Sequence, residues 1–141
     1  MRKTREIRRF ARWCFGRLDM RPIPIYLINA PSLIDPGDNY CFGCYTYGEG
    51  KAEEGKIFIA YKLPKWSVMI NVAHEIWHHY QNVQGTIRTM TVGESEADAE
   101  KGSEALLGVW FSRVGRGMVV EKKWRVDDGE SVQSGRDPEV S

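Results

Sequence analysis

Residues 65–83 of the chain read KWSVMINVAHEIWHHYQNV, and this segment decides the fold. It contains neither Gly nor Pro, and its apolar side chains recur at helical spacing, so it predicts one long helix. Pro64 fits the first turn of that helix, and Gly85 fits the position just after its C-terminal end. The chain has three histidines, and all of them lie in this helix: His74, His78 and His79.

The middle of the segment reads H-E-I-W-H over residues 74–78. On a helix His74 and His78 share a face, and two imidazoles at that spacing can converge on one zinc ion. Glu75 then lies beside a metal-bound water, where its carboxylate can act as a general base. The alternative is a surface helix that holds two histidines by chance. The helical context and the lack of histidines elsewhere favour a catalytic zinc site.

A catalytic zinc ion usually has three protein ligands and a water, so a third donor is needed downstream. The best candidate is Glu94, the first residue of the acidic run ESEADAE, because a carboxylate at the start of a following helix can fold back to the metal. Asp98 lies one turn further along the same face, and we expect it to hydrogen-bond the free N–H of a ligand histidine. That face continues through Gly102 and Ala105, whose small size would let the two helices approach closely.

Glu94 also has a structural alternative. Thr91-Val-Gly-Glu94 matches the capping-box pattern, in which the glutamate bonds back to a backbone N–H at the helix start. We favour the ligand role because zinc needs a third donor and no histidine remains. For Glu96 and Glu100 we expect only the favourable interaction of acidic side chains with a helix N-terminus. His79 lies off the ligand face and is expected to pack or hydrogen-bond locally.

Composition sets the class of protein. The chain has 141 residues, of which 42% are hydrophobic and 28% charged, and this predicts a soluble globular protein. We assign residues 1–115 to a single domain, and residues 116–141 to a strand-like piece, MVVEKKWRV, followed by a disordered tail. No apolar run is long enough to span a bilayer, and the N-terminus lacks the apolar core of a signal peptide.

The chain has three cysteines, Cys14, Cys41 and Cys44. They form no even disulfide framework, which favours a reducing compartment, the cytoplasm. Cys41 and Cys44 form a C-x-x-C, but neither a second such pair nor a spare histidine is present to complete a zinc site. We therefore expect these two cysteines to be ordinary strand residues.

The N-terminal region is strongly basic. Residues 4–19 carry an apolar stripe among arginines and predict an amphipathic helix. Residues 1–22 contain eight Lys and Arg against Glu6 and Asp19, a local charge of 8 − 2 = +6, whereas the whole chain has a net charge of +1. Such a patch could bind nucleic acid. Without interleaved exposed aromatics we favour a solvated helix face.

Three further segments predict the strands of a small sheet: residues 23–28, 40–47 and 56–61. Polar, Gly-rich residues 48–55 predict a long loop between the second and third of these strands, and residues 29–39 predict another loop. A second long helix is expected from Glu94 to about Val114. The overall fold class is therefore α+β.

H-E-I-W-H followed by E-S-E-A-D resembles the gluzincin metallopeptidases, over about residues 56–110. Minimal gluzincins and ImmA/IrrE-type peptidases combine H-E-x-x-H with a downstream E-x-x-A-D or E-x-x-A-N. The resemblance implies a zincin-like fold: an N-terminal helix, a small twisted three-stranded sheet, an active-site helix and a glutamate helix. In such folds Glu75 would polarise the attacking water, and an extended substrate would pair with an edge strand, here residues 56–61. The zinc ligands that it implies are His74, His78 and Glu94.

The chain departs from these families at two places. After Asp98 it has polar residues where Phe-Ala is usual, and between the histidines it has Ile76-Trp77, where many relatives have a small residue or Leu-Gly. These departures affect the subfamily more than the zinc site. Tyr61, at the end of the third predicted strand, is one candidate for stabilising the oxyanion, and zinc alone can serve that role.

These features predict a zinc-dependent metallopeptidase, a hydrolase that cleaves a protein or peptide substrate by Glu75-assisted attack of a zinc-bound water. The alternative is a regulatory binding module, associated with protein or DNA, that retains the zinc fold without significant proteolysis. The basic N-terminal helix motivates that alternative. Nucleic acid is the less favoured partner, and no membrane association is expected.

Overall fold

The computed structural model describes residues 2–48 and 51–122, apart from the side chains of residues 48, 51–53 and 114–122. The predicted tail from residue 123 onward lies outside the described residues. The chain divides into two compact units, Met1–Leu107 and Gly108–Ser141, and the candidate site lies in the first of them. In the described part of the chain, no helix combines the length and the apolar character needed to cross a membrane.

The central element is α2 (Lys65–Gln84), which confirms the predicted helix. Gly85 follows it in the left-handed conformation, with a φ of 82°, and its N–H donates to the carbonyl of Asn82. Glycine adopts this conformation without the steric cost of a Cβ atom. α1 (Arg2–Arg17) packs against α2 and confirms the predicted amphipathic helix. One face of α2 is apolar and fully buried: Val68, Met69, Val72, Ala73 and Ile76.

A three-stranded sheet also packs against α2. Its strands lie side by side in the order β1 (Ile25–Ile28), β5 (Lys51–Ala60) and β4 (Gly43–Gly48). β1 is parallel to β5, and β4 is antiparallel to it. The side chains of Ile57 and Ile59 on β5 are fully buried. Because alternate residues of a strand share a face, these two isoleucines mark the face of the sheet that α2 covers.

The sheet differs from the prediction in the extent of its strands. The sequence predicts a loop over residues 48–55, but β4 and β5 extend into this region as a hairpin. Backbone hydrogen bonds across a hairpin do not require apolar side chains, so the polar composition misled the prediction. The predicted strand 40–47 is divided into β3 (Tyr40–Cys41) and β4, and β3 pairs with β2 (Leu33–Ile34), which lies in the predicted loop 29–39, in a short antiparallel sheet.

β5 is the central strand, which corrects the expectation that residues 56–61 form an edge. β1 and β4 pair with its two sides, and Ile57, Phe58 and Ile59 each have a partner on both. Their backbone groups are therefore already hydrogen-bonded and cannot accept an additional strand. The outer strands of the sheet are β1 and β4.

α3 (Val92–Lys122) is longer than the helix that the sequence predicts from Glu94 to Val114. It includes residues 118–122, where the sequence predicts the start of a strand-like piece, so that prediction is wrong for these residues. Extending an existing helix adds one hydrogen bond per residue, which outweighs the weak strand preference of two valines. Residues 123–126 of the predicted piece lie outside the described residues.

α3 approaches α2 closely at Gly102. A Cβ atom on Gly102 would lie 2.2–2.5 Å from three ring atoms of Trp77. Only glycine permits this distance, so the expected close approach of the two helices is confirmed at this residue. Ala105, which was expected on the same face, is exposed.

Replacing Gly102 with Ala should destabilise the protein by about 1–3 kcal/mol, because the added methyl group forces the Trp77 ring out of its position. The matched control is Gly108→Ala in the same helix, where a Cβ atom meets no described atom within 4 Å. There the higher helix propensity of Ala should stabilise by up to about 1 kcal/mol. Urea unfolding followed by circular dichroism measures both changes. Equal effects of the two substitutions would contradict the close contact.

Candidate metal centre

His74 and His78 lie one turn apart on α2 and face the first turns of α3. Their ring centroids are 4.8 Å apart. Nε2 of His74 lies 2.9 Å from Oε1 of Glu96, and Nε2 of His78 lies 3.1 Å from Oε2 of the same carboxylate. One donor atom from each of the three side chains therefore lies within 4.8 Å of the other two. In the described part of the chain, this is the one group of three or more His, Cys, Asp or Glu side chains with such spacing.

The separations of these donor atoms fit a tetrahedral zinc ion. Zinc–ligand bonds of about 2.0–2.1 Å at tetrahedral angles place neighbouring donors about 3.3 Å apart. The two observed Nε2–oxygen separations are close to that value. The Glu96 side chain is 56% exposed, so it can make the small adjustment that admits an ion. The residues present therefore fit a zinc ion.

Glu94, which the sequence predicted as the third ligand, forms a capping box instead. Its carboxylate accepts a hydrogen bond from the Thr91 N–H at 2.9 Å, and its own N–H donates to Thr91 Oγ1 at 3.1 Å. Glu96 lies two residues further, about 200° around the helix, and this rotation turns it toward α2. The structure thus brings Glu96 to the histidines and does not bring Glu94. The signal for this outcome was the Thr-x-x-Glu pattern itself.

Gln81 orients the ring of His78. The Gln81 side chain is only 1% exposed, and its NH₂ group donates to the carbonyl of Ser95 and to Oδ2 of Asp98, both at 3.0 Å. These two acceptors fix the orientation of the amide, so its oxygen must face His78. His78 Nδ1 lies 3.0 Å from that oxygen and must donate. Helical periodicity alone does not distinguish this buried position of Gln81 from an exposed one.

The tautomer of His78 determines which of its ring nitrogens can bind a cation. A neutral imidazole carries one ring proton, and the contact with Gln81 places it on Nδ1. Nε2 then presents a lone pair toward the Glu96 carboxylate. A cation bound here would accept this lone pair and a carboxylate oxygen of Glu96 together. In an imidazolium, Nε2 would carry a proton as well and would donate it to the carboxylate in a hydrogen bond.

Asp98 acts on the histidine through Gln81 and not directly, which corrects the predicted contact. Its Oδ2 accepts hydrogen bonds from Gln81 Nε2 and from Trp77 Nε1, the latter at 2.8 Å. These two hydrogen bonds lower the pKa of Asp98, because they stabilise the charged carboxylate. Asp98 therefore connects the tryptophan at the α2–α3 contact with the glutamine that orients His78.

Glu75 lies beside the three donors and against β4. It is 7% exposed, and a Cβ atom on Gly43 would lie 3.0 Å from its Cγ and Oε2 atoms. Burial raises the pKa of Glu75 to about 8, and the negative charge of Glu96 adds to the shift. A cation held by Glu96 would oppose the shift, because it stabilises a nearby carboxylate. Glu75 is thus a buried carboxyl group of raised basicity, as a general base requires.

The site opens into a cavity of about 510 Å³ between β4, α2 and the start of α3. The rings of Tyr45 and Tyr47 stack at 5.3 Å along the β4 side of this space. The Tyr45 hydroxyl accepts a hydrogen bond from Asn82 Nδ2 and lies 2.7 Å from Nδ1 of His79. His79 is therefore buried and packs, as predicted, but its hydrogen-bond partner is Tyr45 on β4 and not a neighbour in its own helix. The cavity is large enough for several side chains of a peptide.

Cys41 and Cys44 lie in β3 and β4, as predicted, are partly buried, and are among the residues that line the same cavity. Burial raises the pKa of both thiols. Asp35 and Glu75 raise the pKa of Cys41 further, and Glu75 also raises that of Cys44. A raised pKa favours the neutral thiol, which is a poorer nucleophile and metal ligand than the thiolate.

Tyr61 does not reach the cavity. Its hydroxyl hydrogen-bonds Thr4 Oγ1, and Lys3 Nζ lies 4.2 Å from its ring centroid. The side chain therefore secures α1 to the end of β5. The suggestion that Tyr61 stabilises an oxyanion is not supported by this position.

Comparison of the chain with protein-family models, with curated proteins and with solved structures finds no match.

Replacing Gln81 with Leu should lower the affinity for zinc about 10–100-fold, because His78 Nδ1 loses the amide oxygen at 3.0 Å and keeps only the longer contact with Ser95 Oγ, at 3.2 Å. The matched control is Gln84→Leu, an exposed position on the same helix, which should leave the affinity unchanged. Competition with a fluorescent zinc chelator measures both, and thermal melting of the metal-free proteins verifies folding. Equal affinities for folded Gln81→Leu and the wild type would contradict the positioning role.

Proposed function

We propose that this protein is a zinc-dependent metallopeptidase with a gluzincin-type ligand set, His74, His78 and Glu96. The observation that carries the proposal is the convergence of these three donors next to Glu75, a buried carboxyl group that faces a large cavity. Bound zinc would supply Lewis-acid chemistry, lowering the pKa of a coordinated water and polarising the substrate carbonyl.

Glu75 is the residue that would move protons. As a carboxylate it would accept a proton from the attacking water and then deliver it to the leaving amine. Its position on the residue after His74 keeps it beside the donors without making it a ligand. The low exposure of Glu75 supports this role, since a carboxylate that is shielded from bulk water is a stronger base.

β4 would bind the substrate in this proposal. It is an outer strand, it borders the cavity, and its Gly43 lies directly against Glu75. An extended peptide that adds to its free edge would pass over the donors, and its side chains would alternate between the cavity and solvent. This assignment replaces the predicted pairing of substrate with residues 56–61.

The order of elements supports the gluzincin class. An N-terminal helix, a three-stranded sheet, a helix with H-E-x-x-H and a later helix with an acidic donor follow one another in the chain. The donor differs from the one that the E-x-x-A-D pattern implies, because Glu94 forms a helix cap. The proposal therefore concerns the class of the metal site and does not extend to an ImmA/IrrE-type subfamily.

The test is Glu75→Gln, with bound zinc and peptide cleavage measured on the same sample. We expect about one zinc ion per chain, because the ligands remain, and a loss of cleavage of about 10²–10⁴-fold, because the general base is removed. Casein and a library of short fluorogenic peptides serve as substrates.

Two control variants distinguish the acidic side chains. Glu96→Gln should lose zinc and activity together, whereas Glu94→Gln should keep both. Glutamine also serves in a capping box, so this variant should lose only the charge interaction with the helix N-terminus, about 0.3–1 kcal/mol. Full zinc with undiminished cleavage in Glu75→Gln would contradict the mechanism. A wild type that binds zinc but cleaves nothing would favour the alternative of a binding module.

A further inference from the structure

The face of the sheet opposite α2 exposes a pair of aromatic rings. Phe58 alternates with the buried Ile57 and Ile59, so it points to this outer face. Tyr26 is its partner across the β1–β5 pair, and the two rings stack with centroids 5.2 Å apart and an interplanar angle of 19°. Tyr26 is 44% exposed, and Phe58 is partly buried. The outer face therefore carries a small aromatic platform at the centre of the sheet.

Arginines of α1 border this platform. Arg5, Arg8 and Arg12 are spaced by three and four residues, which places them along one side of the helix. Nη1 of Arg8 donates to the carbonyl of Ile25 at 2.9 Å, and Ile25 directly precedes Tyr26. This contact fixes the arginine side of α1 beside β1, and all three arginines are exposed.

The charge of α1 is positive and only weakly offset. The helix contains seven Lys and Arg and one acidic residue, Glu6, which pairs with Lys65 at 3.0 Å. Lys56 and Glu54 are both exposed in β5, two and four residues before Phe58, so their charges offset each other on the outer face of the sheet. The surplus cations therefore lie on α1, next to the rings of β1 and β5.

The exposed rings beside the basic helix remove the reason for which the sequence favoured a solvated helix face. A basic helix without exposed aromatics is best explained as a solvated face, but here two strands supply the aromatics next to it. Ring faces stack on unpaired bases, and a row of arginines follows a phosphate backbone. A duplex keeps its bases stacked inside and cannot use the rings. An acidic peptide could use the arginines but has no planar groups for the platform.

We propose that single-stranded nucleic acid binds across the outer face of the sheet. Bases stack on Tyr26 and Phe58, and phosphates contact Arg5 and Arg12. The proposal does not rest on the metallopeptidase activity, because the metal centre lies on the other side of the sheet, between β4, α2 and α3.

The test uses the full chain and fluorescein-labelled oligothymidylate and oligouridylate of about 12 nucleotides, a length that such sites cover. Fluorescence anisotropy at several salt concentrations gives the dissociation constants. Tyr26→Leu and Phe58→Leu keep an apolar side chain and remove the ring, and each should weaken binding at least about fivefold. Tyr26→Phe keeps the ring and should bind like the wild type. Circular dichroism verifies that each variant is folded.

Arg5→Ala combined with Arg12→Ala tests the phosphate contacts. The slope of log affinity against log salt should fall by about 1.4, that is, by about 0.7 for each lost contact with a single strand. The matched control removes the same charge elsewhere, by Arg88→Ala with Lys101→Ala at exposed positions, and should bind like the wild type. Preference for either the DNA or the RNA strand supports the proposal and identifies the natural class.

Three results would overturn the proposal. The first is no binding of either oligonucleotide at low salt. The second is equal loss of affinity in the two double variants, which would indicate a diffuse charge effect. The third is binding of a duplex or of polyglutamate as tight as that of the single strand and unaffected by Tyr26→Leu and Phe58→Leu, which would assign the surface to polyanions in general.

Discussion

The close packing of α3 against α2 is the constraint on which the candidate metal centre depends. The two helices meet where Gly102 leaves room for the Trp77 ring, and this contact limits the distance between them. Thr91 fixes where α3 begins, through the capping box with Glu94. The distance and the starting point together decide which carboxylate faces the histidines. Glu96 takes that place because it lies about 200° around the helix from Glu94.

A buried polar network connects this packing to the chemistry of the site. Trp77 and Gln81 both donate hydrogen bonds to Asp98, and the Gln81 oxygen accepts one from the Nδ1–H of His78. Every member of such a network must find partners, so a satisfied network holds one arrangement of its side chains. The same hydrogen bonds therefore secure α3 on α2 and present Nε2 of His78 toward Glu96. Structure and metal affinity are expected to change together when this network is altered.

Local features of the site could be predicted from the sequence, and features that depend on distant contacts could not. The helix over residues 65–83 and the shared face of His74 and His78 follow from periodicity within one segment. The central position of β5 depends on which strands pair, which a single segment does not encode. The capping box that occupies Glu94 is local, and its Thr-x-x-Glu pattern is visible in the sequence. That Glu96 faces the histidines depends on how α3 packs on α2, which one segment does not encode.

The most direct test of the metal centre is a crystal structure of the zinc-loaded protein with diffraction measured at the zinc absorption edge. The account predicts one anomalous peak about 2.0–2.2 Å from Nε2 of His74, Nε2 of His78 and a carboxylate oxygen of Glu96. In the same crystal Glu94 should remain hydrogen-bonded to Thr91. A peak coordinated by Glu94, or zinc bound away from the two histidines, would contradict the account.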